Sequence, residues 1–154
     1  MNDVTVTDDC AAGCGAGAIR EREPSTGLHH VEFWVPDLAG AIPGWSWLLD
    51  TMGWTPFQDW DAGRSWRLGA VYLVIEQSPA MTADEHERCR PGLNHLAFHA
   101  GDRGDVDGLV AAAPDNGWQL MFADRHPYAG GPDHYAAYLS DRYGFEVELV
   151  AHDR

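Results

Sequence analysis

The chain has 154 residues, of which 45% are hydrophobic and 11% aromatic, with seven tryptophans; that is enough for one ordinary domain or two small repeated units, and it excludes wholesale disorder. The formal net charge is −14 and all ten basic residues are arginine, so the overall field repels phosphate backbones and no nucleic-acid partner is expected. No apolar run approaches the ~20 residues a bilayer span needs, the first residues lack the basic and apolar regions of a secretory leader, and Cys10, Cys14 and Cys89 are an odd set that argues against a disulfide framework, so a cytoplasmic protein with no membrane partner is expected.

Residues 1–26 show no apolar periodicity and read as a flexible tail, leaving 27–154 as the domain. A strand is predicted over His29–Val35. Asp37 is placed to cap the helix "LAGAIPGWSWLLDTMG", whose Leu38, Ile42, Trp45, Leu48, Leu49 and Met52 recur at helical spacing, and Gly53 is placed to end it. Pro43 requires either a later start, with Pro43 in the first turn, or a kink. Strands follow over Trp54–Trp60, Ser65–Leu68 and Ala70–Gln77, with a turn at Asp61–Gly63. The polar, proline-bounded stretch 79–91 is a linker. Then the order repeats: a strand in "GLNHLAFHAGD", a helix in "DRGDVDGLVAAAPDNG", and strands in "WQLMF", "HYAAYLS" and "FEVELVA", with the Gly/Pro loop "RHPYAGGPD" between the first two of them. Gly27-Leu28-His29-His30-Val31 matches Gly92-Leu93-Asn94-His95-Leu96, so two modules are expected, 27–78 and 92–151.

Strand side chains alternate between faces. Val31, Phe33 and Val35 take one face of the first strand, and His30, Glu32 and Trp34 the other. In the closing strand of module two, Val147 and Leu149 oppose Glu146, Glu148 and Val150. Each module therefore has an apolar face for its helix and a second face with a histidine early and a glutamate late: His30 with Glu76, and His95 with Glu148. Imidazole and carboxylate on rigid strands suit a divalent metal. A lone strand histidine is more often exposed or hydrogen-bonded than a ligand, and the weight comes from the same residue types recurring in two repeated units.

These segments resemble the vicinal oxygen chelate superfamily, which includes glyoxalase I, extradiol dioxygenases and the bleomycin and fosfomycin resistance proteins. "HHVEFWVPDL" is similar to its opening strand and helix cap, "GLNHLAFHAGD" to its second-module opening, and "AAYLSDRYGFEVELV" to its closing hairpin. The resemblance spans residues 28 to 151. It implies an α+β fold of two βαβββ modules, whose eight strands form a cup-shaped mixed sheet with helices outside. It also implies one divalent metal per site (Fe, Mn, Ni, Co or Zn) on His30, Glu76, His95 and Glu148, and a homodimer whose site draws on both chains.

The activity implied is a redox-neutral, glyoxalase-like isomerase or lyase reaction on a small oxygen-bearing substrate, with Glu148 or Glu76 moving a proton. An extradiol-type dioxygenase is the second reading, because Tyr138 stands ten residues before Glu148, with His134 and Tyr135 nearby as further acid–base groups. Arg142 stands where that signature expects proline. A non-catalytic antibiotic binder is the third, with a pocket from Trp34, Trp47, Trp60, Trp66 and Tyr72. Candidate substrate contacts are Trp34, Glu32, His99, Arg67 and Tyr135, and Arg125 is a further candidate for an anionic group.

Overall fold

The computed structural model describes residues 27–152; the tail with Cys10 and Cys14 lies outside the described residues. Module one runs β1 (His30–Trp34), α1 (Leu38–Thr51), β2 (Thr55–Trp60), β3 (Gly63–Leu68) and β4 (Val71–Glu76). Module two runs β5 (Leu96–His99), α2 (Arg103–Ala112), β6 (Gln119–Leu120), β7 (Ala136–Ser140) and β8 (Glu146–Val150). The sheets have equivalent orders, β1-β4-β3-β2 and β5-β8-β7-β6. In each, the first strand lies parallel to the last and the other pairs are antiparallel. Two mixed four-stranded sheets with two helices are the α+β, two-module fold expected, and among the described residues no ladder joins the sheets.

Local chemistry accounts for the elements. Asp37 caps α1 by accepting a hydrogen bond from the Gly40 N–H at 3.0 Å. Pro43 lies beyond the first turn, and the helix continues through it. Its missing N–H deprives only the Ala39 carbonyl, and Ala39 is exposed, so water can serve it. Gly53, at φ 83°, takes the left-handed conformation that follows the helix end. A capping box between Asp102 and Asp105 starts α2. Edge strand β2 is exposed throughout, which tolerates Pro56 and a register shift between Pro56 and Gln58. The strand read in "WQLMF" shrinks to two residues. The Met121 N–H still donates to the Tyr138 carbonyl, but Phe122 at φ 53° turns the chain away.

Three tryptophans build the centre. Trp45 packs on Phe33 and on Trp118, with ring centroids 4.9 and 5.0 Å apart, and Phe33 meets Phe145 at 4.9 Å. The indole N–H of Trp45 donates to Asp141 and that of Trp118 to the Gly44 carbonyl, so both modules are tied at one junction. Trp66 is 1% exposed and belongs to this core, which removes it from the aromatic pocket considered above. Phe33, Val35, Leu73 and Ile75 of the first sheet share a continuous core with Leu139, Phe145, Val147 and Leu149 of the second. Alternation then turns His30, Glu32 and Trp34, and likewise Glu146 and Glu148, away from it.

Candidate active site

Glu148 is the centre of the module-two face. It is 7% exposed, and its carboxylate meets three side chains. His134 Nε2 lies 2.5 Å and the Tyr138 hydroxyl 2.7 Å from Oε1, while His95 Nε2 lies 3.2 Å from Oε2. Tyr138 is the register partner of Glu148 on β7, His95 immediately precedes β5, and His134 stands at the end of the Gly/Pro loop. The glycine in that loop has a steric reason. A Cβ on Gly130 would lie 2.6 Å from His134 Cδ2 and 2.7 Å from the Tyr138 hydroxyl.

Burial alone would push the Glu148 carboxyl upward. The hydrogen bonds from Tyr138 and His134, and the electrostatic pull of the neighbouring His134 and His95, outweigh it and hold Glu148 below the usual carboxylate range. Burial, and then the bond to Glu148, push the Tyr138 phenol up to about 12, so it remains a donor at neutral pH.

The histidines are oriented from the residue before each. Asn94 donates its amide N–H to the Arg88 carbonyl at 2.8 Å, which turns its Oδ1 toward His95 Nδ1 at 2.7 Å. His95 Nδ1 therefore carries a proton, and Nε2 is left facing a carboxylate oxygen. His29 Nδ1 stands 2.9 Å from His30 Nδ1, so the residue before His30 also meets its Nδ1, one of the two nitrogens donating. The repeat of "LHH" and "LNH" thus places a side-chain contact on Nδ1 of the second histidine in each module. Sequence reasoning assigned no role to Asn94 and none to His29 in orienting His30; the alignment of the two openings was the signal available.

Sequence reasoning also passed over Glu146. It is 4% exposed and paired with Arg88 of the linker, so the module-two face carries one neutralised carboxylate beside the one held by His95, His134 and Tyr138. Nothing in the strand pattern marked Arg88 as its partner, since 58 residues separate them.

On module one, His30 stacks on Tyr72 at 4.8 Å and 9° between planes, Trp34 donates to Glu32 at 2.9 Å, and Arg67 lies 4.2 Å over the Phe57 ring. Half-buried Glu76 pairs in register with Trp34 and Gly63. No hydrogen bond, ion pair or ring contact among the described residues joins His30 or Glu76 to His95 or Glu148. Two other candidates lie off the carboxylate. Tyr135 donates to Asp107 of α2 at 2.7 Å, on the helix side of β7, and His99 lines a groove of about 470 Å³ between α1 and α2 together with Trp47.

Residues 29–138 match the Glyoxalase/Bleomycin resistance protein/Dioxygenase superfamily. The chain belongs to it. Among superfamily relatives, the Bacillus subtilis (strain 168) protein YqjT, described only as uncharacterized, is 42% identical over 125 residues, covering 80% of this chain and 98% of that one. A Bacillus halodurans structure provisionally assigned as a glyoxalase is 43% identical with a TM-score of 0.77, over 81% of this chain and 95% of that one. Lactoylglutathione lyase from Agrobacterium tumefaciens, 17% identical with a TM-score of 0.57 over 84% and 96%, shares the fold.

A divalent metal is common in this superfamily. Among the described residues no group of three or more His, Cys, Asp or Glu side chains converges to hold one. The donor chemistry of the module-two face nevertheless fits half a site. With Nδ1–H committed to Asn94, His95 Nε2 and Glu148 Oε2 face each other as two lone pairs unless a cation, a proton or a metal, lies between them. Module one offers His30 and Glu76, but in register Glu76 stands opposite Trp34, four residues along β1 from His30, whereas Glu148 stands opposite Ala97, two residues from His95.

Proposed function

We propose that the protein is a divalent-metal-dependent, glyoxalase-like enzyme catalysing a redox-neutral isomerase or lyase reaction on a small oxygen-bearing substrate. The observation that carries this reading is the Glu148 carboxylate, ionised, nearly buried and held by His95, His134 and Tyr138 on a face turned away from the core. In this proposal His95 and Glu148 hold the metal with His30 and Glu76 of a second copy, so the working form is a homodimer with modules of different chains face to face. Bound there, the metal would supply Lewis-acid polarisation of a substrate oxygen.

The chain's own residues do the rest. Glu148, kept ionised, accepts a proton from the carbon next to that oxygen and returns it to a neighbouring position. Tyr138, protonated at neutral pH, holds Oε1 so that Oε2 is presented to the site. His134 steadies Oε1 from the other side and takes up or releases a proton with the substrate oxygen. Trp34 and Tyr72 offer apolar walls, and Arg67 a cation, from the opposing module.

Metal analysis tests this. Wild type incubated with Mn, Co, Ni, Zn or Fe(II) and desalted should retain about one metal per Glu148, and His95→Ala, Glu148→Ala and His30→Ala should each lose it. A wild type that retains none of these ions sinks the metalloenzyme reading. The dioxygenase reading keeps one specific observation, the 2.7 Å bond between Tyr138 and Glu148 at the spacing that signature uses. Oxygen uptake on catechols by the Fe(II)-loaded protein would favour it over the isomerase or lyase reading.

A further inference from the structure

Phe122 is the one non-glycine residue with positive φ among those described, and it sits beside the site. Its ring stands edge-on to Tyr138 at 5.6 Å, and the Tyr138 hydroxyl touches Glu148. Left-handed backbone disfavours a side chain with a Cβ, and such outliers persist where the surroundings hold them. Two features hold this one. The Met121 N–H donates to the Tyr138 carbonyl, pinning the segment to β7. The Phe122 carbonyl then accepts the N–H groups of Arg125 and His126 at 2.8 and 2.9 Å. That turn brings Arg125 back over its own starting residue, with the guanidinium 4.9 Å from the Phe122 centroid. On the same ring, at 5.8 Å, is Arg88.

The two arginines differ in what they have left to give. Arg88 is spent on Glu146, which neutralises it and raises its pKa further. Arg125 is exposed and forms no ion pair with any carboxylate among the described residues. In a chain with 24 acidic side chains, a guanidinium over a ring that touches the site, whose N–H groups have no hydrogen-bond partner among the described residues, is a local exception to the overall field. A guanidinium held over a ring by its charge keeps its N–H fork for a ligand, and that fork binds two oxygens of an oxyanion side by side.

We infer that Arg125, held on Phe122, is an anion subsite at the rim of the Glu148 centre, and that the substrate carries a carboxylate or phosphate group bound there. The inference rests on the proposed function for the location of the chemistry and deepens it by naming the substrate class. Glu146 is neutralised by Arg88, which also lies near the Phe122 ring, so the substrate's negative charge does not meet an unpaired Glu146 carboxylate. A single phenol ring and a single phenyl ring separate Glu148 from Arg125, a span suited to a small molecule with its reacting carbon at one end and its anionic group at the other.

The test is a titration of the protein as purified with inorganic phosphate and, separately, with acetate, followed by calorimetry and by the NMR signal of the Arg125 Nε–H. Saturable binding of at least one anion is expected, weakened about tenfold or more in Arg125→Gln and less in Arg125→Lys, which keeps charge without the fork. Arg142→Gln, which removes the same charge from the exposed β7–β8 turn, should bind as wild type does. The tighter of the two anions identifies the group. If neither anion saturates, or if Arg125→Gln binds as tightly as wild type, the subsite does not exist. Metal retention measured on the same Arg125→Gln protein separates the two proposals. Arg125-dependent anion binding by a protein that retains no metal leaves the subsite standing while the metalloenzyme reading falls; retained metal with Arg125-independent binding does the reverse.

Discussion

At the scale of single residues, a carboxylate with 7% exposure on an outward-facing sheet survives ionised because three side chains converge on it. The arrangement leaves no spare room at Gly130. Gly130→Ala should push His134 away from Glu148 and, on the metal reading, weaken metal retention by roughly 10- to 100-fold, as loss of an outer partner of a ligand does; competition with a metal-sensitive dye would measure it. Asp141 makes a second residue-scale case. Burial pushes its carboxyl up, more than the bonds from the Phe145 N–H, the Trp45 indole and the Tyr143 N–H bring it down. A carboxyl whose folded pKa lies above its unfolded one favours folding in acid, and that contribution is lost as pH rises from the usual carboxylate range through the raised value. Asp141→Asn removes this titration, so its urea midpoint should fall less than that of wild type between the ordinary carboxylate range and neutrality.

At the scale of elements, the caps and ion pairs carry local stability. Asp102→Ala dismantles the capping box of α2 and should cost about 1 kcal/mol, read as a lower urea midpoint with unchanged slope. Arg88→Ala is the harsher change, because it strands Glu146, whose side chain is 2% exposed, without its cation. A buried pair broken from one side costs about 3–5 kcal/mol, and the quarter-exposed Arg88 places the expected loss at or below the lower end, about 2–3 kcal/mol. Arg88→Ala together with Glu146→Leu should recover much of it, since an apolar pair leaves no charge unpaired.

At the scale of the molecule, the two sheets turn their apolar sides to one core and their polar sides outward, so the proposed metal set is complete only when a second chain faces the first. Sedimentation at working concentration should give a dimer. Trp34→Arg, on the module-one face beside Glu32 and Glu76, should shift it toward monomer and lower metal retention together, while circular dichroism stays native. A monomeric wild type that still retains one metal per chain would refute the shared site and leave the fold untouched.

What the sequence determined by itself follows from short-range periodicity. Alternation in "HHVEFW" and "EVELV" assigns His30 and Glu148 to faces, and the match of "GLHHV" to "GLNHL" makes two modules of one plan, because a strand's side-chain directions and a helix's caps are local properties. Pro43 shows the limit on the same scale: of its two readings, the later start that would put it in the first turn gives way to a helix that begins at Leu38 and spans it. Tertiary structure decided which polar side chains meet: His134 and Tyr138 on one oxygen of Glu148, Arg88 on Glu146 across 58 residues, and Tyr135 against α2 rather than toward the carboxylate. It also decided that His30 and Glu76 do not touch His95 or Glu148 within one chain. Such contacts depend on how two sheets pack around Phe33, Trp45, Trp118 and Phe145, and the packing of large rings at a junction is a property of the whole core that no single segment encodes.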